Sequence, residues 1–198
     1  MHLFSPLLLI SLSTALLFGA PQNKQSKELN AVISTGQYST KLLLKTLGSN
    51  MKKNMKAGGP MKALDFCSQE AYNLTEEVNL KLPNGIRVKR ISLKYRNPAN
   101  KPEVDEELIL DSLHKLKNAN VLMPKQLVQK VNATTYKYYK PLLINKKVCL
   151  KCHGNIKDTD LKRAIAQRYP IDKATHYKMG DLRGAVVVTI DTAAKAAK

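Results

Sequence analysis

Residues 184–190 read Gly-Ala-Val-Val-Val-Thr-Ile and form the clearest buried strand in the sequence. Val, Thr and Ile are branched at Cβ, which favours extended backbone, and a continuous apolar run of this length is typical of a strand covered on both faces. The run therefore predicts a buried strand at residues 184–190.

Three other segments have the character of strands. Within residues 78–95, apolar positions alternate on both sides of Pro-Asn-Gly at 83–85, and this pattern predicts a β-hairpin. The alternation slips by one position at residues 90–91, which predicts a bulge or the end of a strand. Further strands are predicted at 134–139 and at 142–144. The alternating apolar residues within 78–95 are Leu80, Leu82, Ile86, Val88, Ile91, Leu93 and Tyr95.

The N-terminal part of the body is predicted to be helical. From Ser26 to Met55, apolar residues recur every three or four positions, which predicts one long amphipathic helix. This helix is expected to end at Gly58-Gly59-Pro60, where a second helix begins with Cys67 on its apolar face. The apolar positions are Leu29, Val32, Ile33, Gly36, Leu43, Leu44, Leu47, Met51 and Met55 in the first helix, and Met61, Leu64, Cys67, Ala71 and Leu74 in the second.

Two shorter helices complete the prediction. Asp105 is expected to cap one of them, and residues 159–168 form the other, which ends before Tyr169-Pro170. Antiparallel strands with helices before and between them indicate the α+β fold class. The inner face of the helix capped by Asp105 carries Leu108, Ile109, Ser112, Leu113 and Leu116, with His114 beside it.

Composition narrows the class of protein. The 198 residues include 33 Lys or Arg and 15 Asp or Glu, for a net charge of +18, and 43% are hydrophobic. The hydrophobic content and the lack of long repeats argue against a disordered, collagen-like or solenoid chain. A polytopic membrane protein is excluded, because the sequence has no second apolar run long enough to span a bilayer after the leader. We expect a leader at 1–20, a long N-terminal helix at 21–58, one domain at 59–191 and a flexible tail at 192–198.

The leader has the features of an export signal. Residues 3–20 read LFSPLLLISLSTALLFGA, with an apolar centre and a small-residue end. Cleavage after Ala20 would leave Pro21 directly behind the cut, so an uncleaved membrane anchor stays open as the alternative. In that case Lys24 and Lys27 would oppose the positive-inside preference if the domain were exported. We expect a periplasmic or otherwise exported protein, with the leader as signal or anchor.

Residues 149–153 read Cys-Leu-Lys-Cys-His, the C-x-x-C-H sequence of c-type haem attachment. Cys149 and Cys152 would add to the two vinyl groups of one porphyrin as thioethers, and His153 would then bind the iron as its proximal ligand. Only one Phe and no Trp lie outside the leader, which leaves room in the core for a large apolar cofactor. The motif therefore predicts one covalent haem c.

Three other interpretations of the cysteine pair stay open. A thioredoxin-like redox pair would need the first Cys to open a helix, whereas Gly154 follows the motif at once in a polar stretch. A zinc site would need a second ligand pair, and the chain has no other Cys pair. A disulfide between Cys149 and Cys152 would close a small strained loop and would leave His153 unexplained.

The second axial ligand of the iron stays open from the residues alone. Each candidate also has a purely structural explanation, which for Cys67 is that of a small buried apolar residue. The methionines at helical spacing would serve as core packing, and His114 would lie at the edge of its helix. The candidates are His114, His176, Met51, Met55, Met61, Met123, Met179 and Cys67.

Three segments occur together in the order found in a known family. They read RISLKYRNPANKPEVDEELIL at 90–110, YYKPLLINKKVCLKCHG at 138–154 and YPIDKATHYKMGDLRGAVVVTI at 169–190. With these segments the chain resembles the exported c-type haem domains with a PAS-like fold, over roughly residues 26–191. The resemblance implies a PAS-like antiparallel sheet with flanking helices, and a sensor-type haem ligated by Cys and His. Its most specific elements are R-N-P-x-N, the haem motif and Y-P-x-D…G-D-x-R-G.

The resemblance also implies a distal ligand. In that family a Cys within a pattern similar to G-P-x-x-A-x-x-x-C-S supplies the second iron ligand. Residues 59–68 read Gly-Pro-Met-Lys-Ala-Leu-Asp-Phe-Cys-Ser, so the role carries over to Cys67. The chain departs from the family at His176, where Gly tends to precede the residue matching Tyr177. An imidazole near the haem edge would be another ligand candidate or a partner for a propionate.

Three classes of function follow from a haem domain of this kind. A redox or small-ligand (gas) sensor needs a separate partner protein, since no output module follows the domain in this sequence. A periplasmic electron-transfer cytochrome needs only a docking surface. A haem enzyme needs an open iron position, and ligation by both Cys67 and His153 would close the site, so we expect no enzyme.

The charge of +18 also predicts a kind of partner. A basic surface suits an acidic redox or signalling protein, or an anionic membrane surface. Nucleic acid is not expected, because the chain is exported and no stacking aromatics alternate with its lysines. Arg87, Arg90 and Arg96 are candidates to neutralise haem propionates.

Overall fold

The structure, a computed structural model, describes residues 21–196. The expected leader at 1–20 lies outside the described residues. Six helices and four strands are found within the described part. They are α1 (Pro21–Gln69), α2 (Ala71–Leu80), β1 (Ile86–Ile91), α3 (Val104–Asn118), β2 (Leu127–Lys130), β3 (Thr135–Leu143), α4 (Leu150–His153), α5 (Thr159–Arg168), β4 (Leu182–Asp191) and α6 (Thr192–Ala196).

The four strands form one antiparallel sheet in the order β1-β4-β3-β2. The predicted buried strand lies inside it, where Val188 of β4 pairs with Val88 of β1 on one side and with Tyr138 of β3 on the other. Residues 185–188 are completely buried, which agrees with their continuous apolar sequence. This arrangement confirms the α+β class and the buried strand at residues 184–190.

The predicted β-hairpin at 78–95 is wrong. Its first half belongs to helix α2, and β1 pairs with β4 instead of with its own predecessor. Helix α2 buries Ala71, Thr75 and Val78 at helical spacing, while Leu80 is 86% exposed and so belongs to no alternating strand face. The slip at residues 90–91 is the end of a strand, because β1 stops at Ile91.

Strand β3 runs through both segments that were predicted as separate strands, and β2 was not predicted. Pro141 interrupts the extended pattern in the sequence but not in the sheet. Strand β2 pairs only with residues 136–139 of β3, so Pro141 lies beyond the end of β2 and its missing N–H costs no hydrogen bond there. The pairing of β3 with β4 shifts in register between Leu142 and Leu143, next to Gly184. Gly184 has φ of 151°, a backbone angle that glycine adopts more readily than other residues.

Helix α1 contains the predicted break. Gly58 and Gly59 have non-helical backbone angles, with φ of 66° at Gly59, and Pro60 follows. The first part of α1 packs on the sheet through Val32, Leu43 and Leu47, which are buried. The second part begins after the two glycines and carries Cys67, so the backbone angles at the break determine where Cys67 lies.

The shorter helices agree with the prediction in position but not in every detail. Helix α5 has the predicted bounds. Helix α3 is capped by Glu103, whose side chain accepts from the backbone of Glu106 in a reciprocal capping box, so the expected cap at Asp105 is wrong. Residues 192–196, within the expected flexible tail, form helix α6. Among the described residues, no helix is long and apolar enough to cross a membrane.

Candidate functional site

A cavity of about 470 Å³ lies between the second part of α1, α2, β1 and the segment that carries the C-x-x-C-H motif. Its volume falls within the ~300–1,000 Å³ typical of small-molecule and cofactor sites. Leu64, Ala71 and Val88 give it an apolar wall. On another side it is lined by basic residues, and Glu76 is the one acidic residue among those that line it. The lining thus suits a ligand with both an apolar body and negative groups.

The motif lies on a helical turn, and the expected polar loop follows it at residues 154–158, which belong to no helix or strand. A 3₁₀ turn at Lys147–Cys149 leads into α4, which ends at His153 with Gly154 as its C-cap. Residues three and four apart share one face of a helix, so Cys149, Cys152 and His153 point toward the same side. All three line the cavity.

The imidazole of His153 is held by a backbone carbonyl. Its Nδ1 lies 2.9 Å from the Ala174 carbonyl oxygen, and Tyr177 meets the ring edge-on at 6.4 Å between centroids. Burial, and then the charges of the nearby Arg183 and Arg96, lower the pKa of His153 from 6.5 to about 3. The ring is therefore neutral, and donation from Nδ1 to the carbonyl leaves the lone pair of Nε2 free for a metal.

The described chain holds three free thiols, and all of them line the cavity. Burial raises the pKa of Cys67, against the lowering effect of Arg90 and Arg96. Burial likewise raises the pKa of Cys152. Both are therefore protonated, weakly reactive thiols unless a metal or another electrophile binds them. Among residues 21–196, no group of three or more His, Cys, Asp or Glu side chains is close enough to hold a bare metal ion.

The cavity separates the candidates for the second axial ligand. Cys67, Met51 and Met55 line the same cavity as His153. The other candidates are outside its lining: His114, His176, Met61, Met123 and Met179. His176 is exposed and has φ of 62°, the left-handed conformation that favours glycine, which gives a physical reason why a glycine is typical at this position.

Four arginines and Lys89 form the basic wall. The arginines that line the cavity are Arg87, Arg90, Arg96 and Arg183. Arg87 pairs with Glu76 at 2.9 Å in a largely exposed ion pair. Burial lowers the pKa of Arg90, and among the described residues no carboxylate lies within 4 Å of it. The buried Nε atoms of Arg90 and Arg96 have no hydrogen-bond partner. Arg96 does pair with Asp172 at 3.0 Å through Nη2, so the cost of a buried guanidinium without an anion falls on Arg90, and the wall at Arg90 suits an anionic group of a ligand.

Arg90 and Arg96 were candidates from the sequence, whereas Arg183 had no predicted role of its own. Arg183 donates from Nη1 to Ser92 Oγ at 2.6 Å and to the Lys94 carbonyl at 3.0 Å, and its guanidinium stacks over Tyr177. Arg183 is the arginine of the G-D-x-R-G segment, so the sequence did contain a sign of it. That segment served only as evidence for the resemblance to the family. Arg183 comes next to His153 because β4 lies between β1 and β3, which only the tertiary structure shows.

Comparison with known proteins identifies the family. The chain matches the Tll0287-like family over residues 21–191 and belongs to that family. Among solved structures it is similar to the crystal structure of the cyanobacterial heme-protein Tll0287, with a TM-score of 0.51 and 24% sequence identity over 87% of this chain and 97% of that chain. At this identity the likeness shows a shared fold. No curated protein matches the chain. Neither the family nor the structural match points to a catalytic activity.

Proposed function

From the family and the cavity, we propose that the protein binds one haem covalently through Cys149 and Cys152, with His153 on the iron. The observation that carries this proposal is that Cys149, Cys152 and His153 of the C-x-x-C-H motif line one cavity, and that Cys67 on α1 lines the same cavity. The similar solved structure is that of a heme-protein, which supports the same cofactor here. When bound, haem supplies one-electron redox chemistry and an iron centre for small ligands.

The residues around the cavity fit this group. The apolar wall suits the porphyrin ring, and the unpartnered Nε atoms of Arg90 and Arg96 suit its propionates. His153 is neutral and oriented, as an iron ligand must be. The four-stranded antiparallel sheet with its flanking helices is consistent with the PAS-like architecture that we propose for the domain.

The test of covalent attachment is a pyridine haemochrome spectrum after extraction with acidic butanone. Coexpression with a cytochrome c maturation system should give haem that resists extraction and has the band position of a c-type haem. Expression without that system should give apo-protein. Cys149→Ser and Cys152→Ser should each leave a single thioether and shift the band. Haem that is fully extracted from the parent protein would refute the proposal.

We propose Cys67 as the second axial ligand. It lines the cavity with His153, and burial raises the pKa of its thiol, so a free thiolate is disfavoured there, whereas binding to ferric iron neutralises the charge. Cys67→Ala should abolish the low-spin thiolate signature in the ferric spectrum and raise the potential, with the covalent haem retained. Met51→Leu and Met55→Leu are the matched controls and should leave the spectrum unchanged. If one of them changes it and Cys67→Ala does not, the methionine is the ligand.

For the physiological role we propose a redox or small-ligand sensor. Thiolate is held weakly by ferrous iron, so reduction or a diatomic gas would release Cys67 and change the contacts of the α1 segment that carries it. The alternative is electron transfer, which the basic surface favours because it suits docking of an acidic protein. Carbon monoxide added to the reduced protein distinguishes the two. A sensor should bind it with loss of the sixth ligand, whereas a carrier should keep an unchanged ferrous spectrum.

We also propose that the protein works outside the cytoplasm. The apolar segment at residues 3–20 and the c-type motif support this location, because covalent haem attachment in bacteria normally takes place there. Fractionation of cells and mass spectrometry of the native N-terminus are the tests. Holo-protein recovered only from the cytosol would refute export, and an intact N-terminus in the membrane fraction would identify the leader as an anchor.

A further inference from the structure

The side chain of Arg96 joins three segments that are far apart in the sequence. Its Nη2 donates to the Cys152 carbonyl at 2.7 Å and to the Ala174 carbonyl at 3.2 Å, and it lies 3.0 Å from Asp172 Oδ2. Both side chains of the ion pair are only 9% exposed. Arg96 belongs to the R-N-P-x-N loop, Cys152 to the haem motif and Asp172 to Y-P-x-D. One buried side chain therefore connects the segments on which the resemblance rests.

These contacts converge on the carbonyl that orients His153. The Ala174 carbonyl oxygen meets both Nδ1 of His153 and Nη2 of Arg96, and the Ala174 N–H donates to Asp172 Oδ1 at 2.8 Å. The peptide units on both sides of Ala174 are thus held by one charged pair. A shift of Arg96 or Asp172 would move the oxygen that holds the imidazole.

We infer that Arg96 and Asp172 are positioning residues for His153, and that their opposite charges set the ferric–ferrous equilibrium of the haem. This inference rests on the proposed function. The physical reason is that a cation near the iron disfavours the ferric state, which carries one more positive charge, and an anion favours it. The same sign follows from the shared carbonyl. A hydrogen bond from Arg96 withdraws electron density from the oxygen, which weakens the pull on the Nδ1 proton and makes His153 a poorer donor to ferric iron.

The two residues therefore have opposite effects. Removing the charge of Arg96 should favour the ferric state, and removing the charge of Asp172 should favour the ferrous state. A role limited to holding the loop would give another result, because either loss would loosen the same contacts. Variants with shifts in opposite directions thus distinguish electrostatic control from simple support.

The experiment measures the reduction potential of the holo-protein by spectroelectrochemical titration. Arg96→Gln should shift the ferric–ferrous equilibrium about tenfold toward ferric, which is roughly 59 mV for one electron. Asp172→Asn keeps an oxygen for the Ala174 N–H and should shift the equilibrium about tenfold the other way. Lys101→Gln is the matched control, because it removes one exposed charge five residues after Arg96 in the sequence and should have little effect.

A conservative variant covers the case in which Arg96→Gln fails to fold. Arg96→Lys keeps the charge but loses the forked donors, and should lower the potential less than Arg96→Gln while changing the hyperfine-shifted signals of the His153 ring. Shifts of Arg96→Gln and Asp172→Asn in the same direction, or shifts no larger than that of Lys101→Gln, overturn the inference. The haemochrome spectrum of each variant is recorded first, so that failure to attach haem counts against the proposed function and not against this inference.

Discussion

Gly36 and Gly48 lie on the same helix, α1, and should respond in opposite ways to the same substitution. A Cβ at Gly36 would overlap the ring of Tyr138, whereas a Cβ at Gly48 would have no atom within 4 Å. Tyr138 cannot easily move aside, because it is 2% exposed on an inner strand and its hydroxyl donates to Gln126 Oε1 at 3.2 Å. Substitution at Gly36 must therefore push the helix away from the sheet.

The magnitudes follow from two terms. Ala is favoured over Gly in a helix interior by about 1 kcal/mol, and this gain is common to both variants. Overpacking of a close contact costs about 1–3 kcal/mol and applies only at Gly36. Gly48→Ala should thus raise the free energy of unfolding by about 1 kcal/mol, and Gly36→Ala should lower it by up to about 2 kcal/mol. The difference between the two variants measures the steric cost alone.

The assay is urea unfolding of both holo-proteins followed by far-ultraviolet circular dichroism, with haem content matched. We expect the midpoint of Gly48→Ala above that of the parent and the midpoint of Gly36→Ala below it. Equal stability of the two variants would refute the close approach of α1 to β3 at Gly36.

Two further predictions concern charge and backbone strain. Lys137 is 7% exposed, and its Nζ contacts Glu103, Asp105 and Glu106 at 2.9, 2.8 and 3.3 Å. Lys137→Met should therefore lower the free energy of unfolding at pH 7 by about 2 kcal/mol. Lys140→Met is the control and should have little effect. Hydrogen bonds from Lys89 and then Lys137 lower the pKa of Glu103 from 4.5 to about 2. The stability that the ion pair contributes is therefore complete above pH 4.5 and is lost as the pH falls toward 2. A difference in free energy of unfolding between Lys137→Met and the parent that stayed the same between pH 7 and pH 3 would contradict the reasoning. His176→Gly relieves a left-handed residue with φ of 62° and should raise the free energy of unfolding by about 1 kcal/mol, with an unchanged ferric spectrum because His176 lies outside the cavity lining. A changed spectrum would return His176 to the ligand candidates.

Features that depend on neighbours in the sequence were predicted from the sequence alone. The buried strand at 184–190, the break at Gly58-Gly59 and helix α5 each follow from residues within a few positions of one another. The C-x-x-C-H motif has the same local character, because its chemistry needs two thiols and an imidazole on one helical turn. In these cases side-chain shape and backbone preference are sufficient, and no distant contact competes with them.

Features that depend on pairing between distant segments were decided only by the tertiary structure. The Pro-Asn-Gly signal at 83–85 predicted a hairpin, but burial of Val78 in α2 and pairing of β1 with β4 outweighed that local preference. The sequence could not show that Arg96 reaches Asp172 and the Ala174 carbonyl, or that Cys67 lines the same cavity as His153. The physical reason is that a sheet with β4 between β1 and β3 brings together groups many residues apart, and the free energy of that packing is not contained in any short segment.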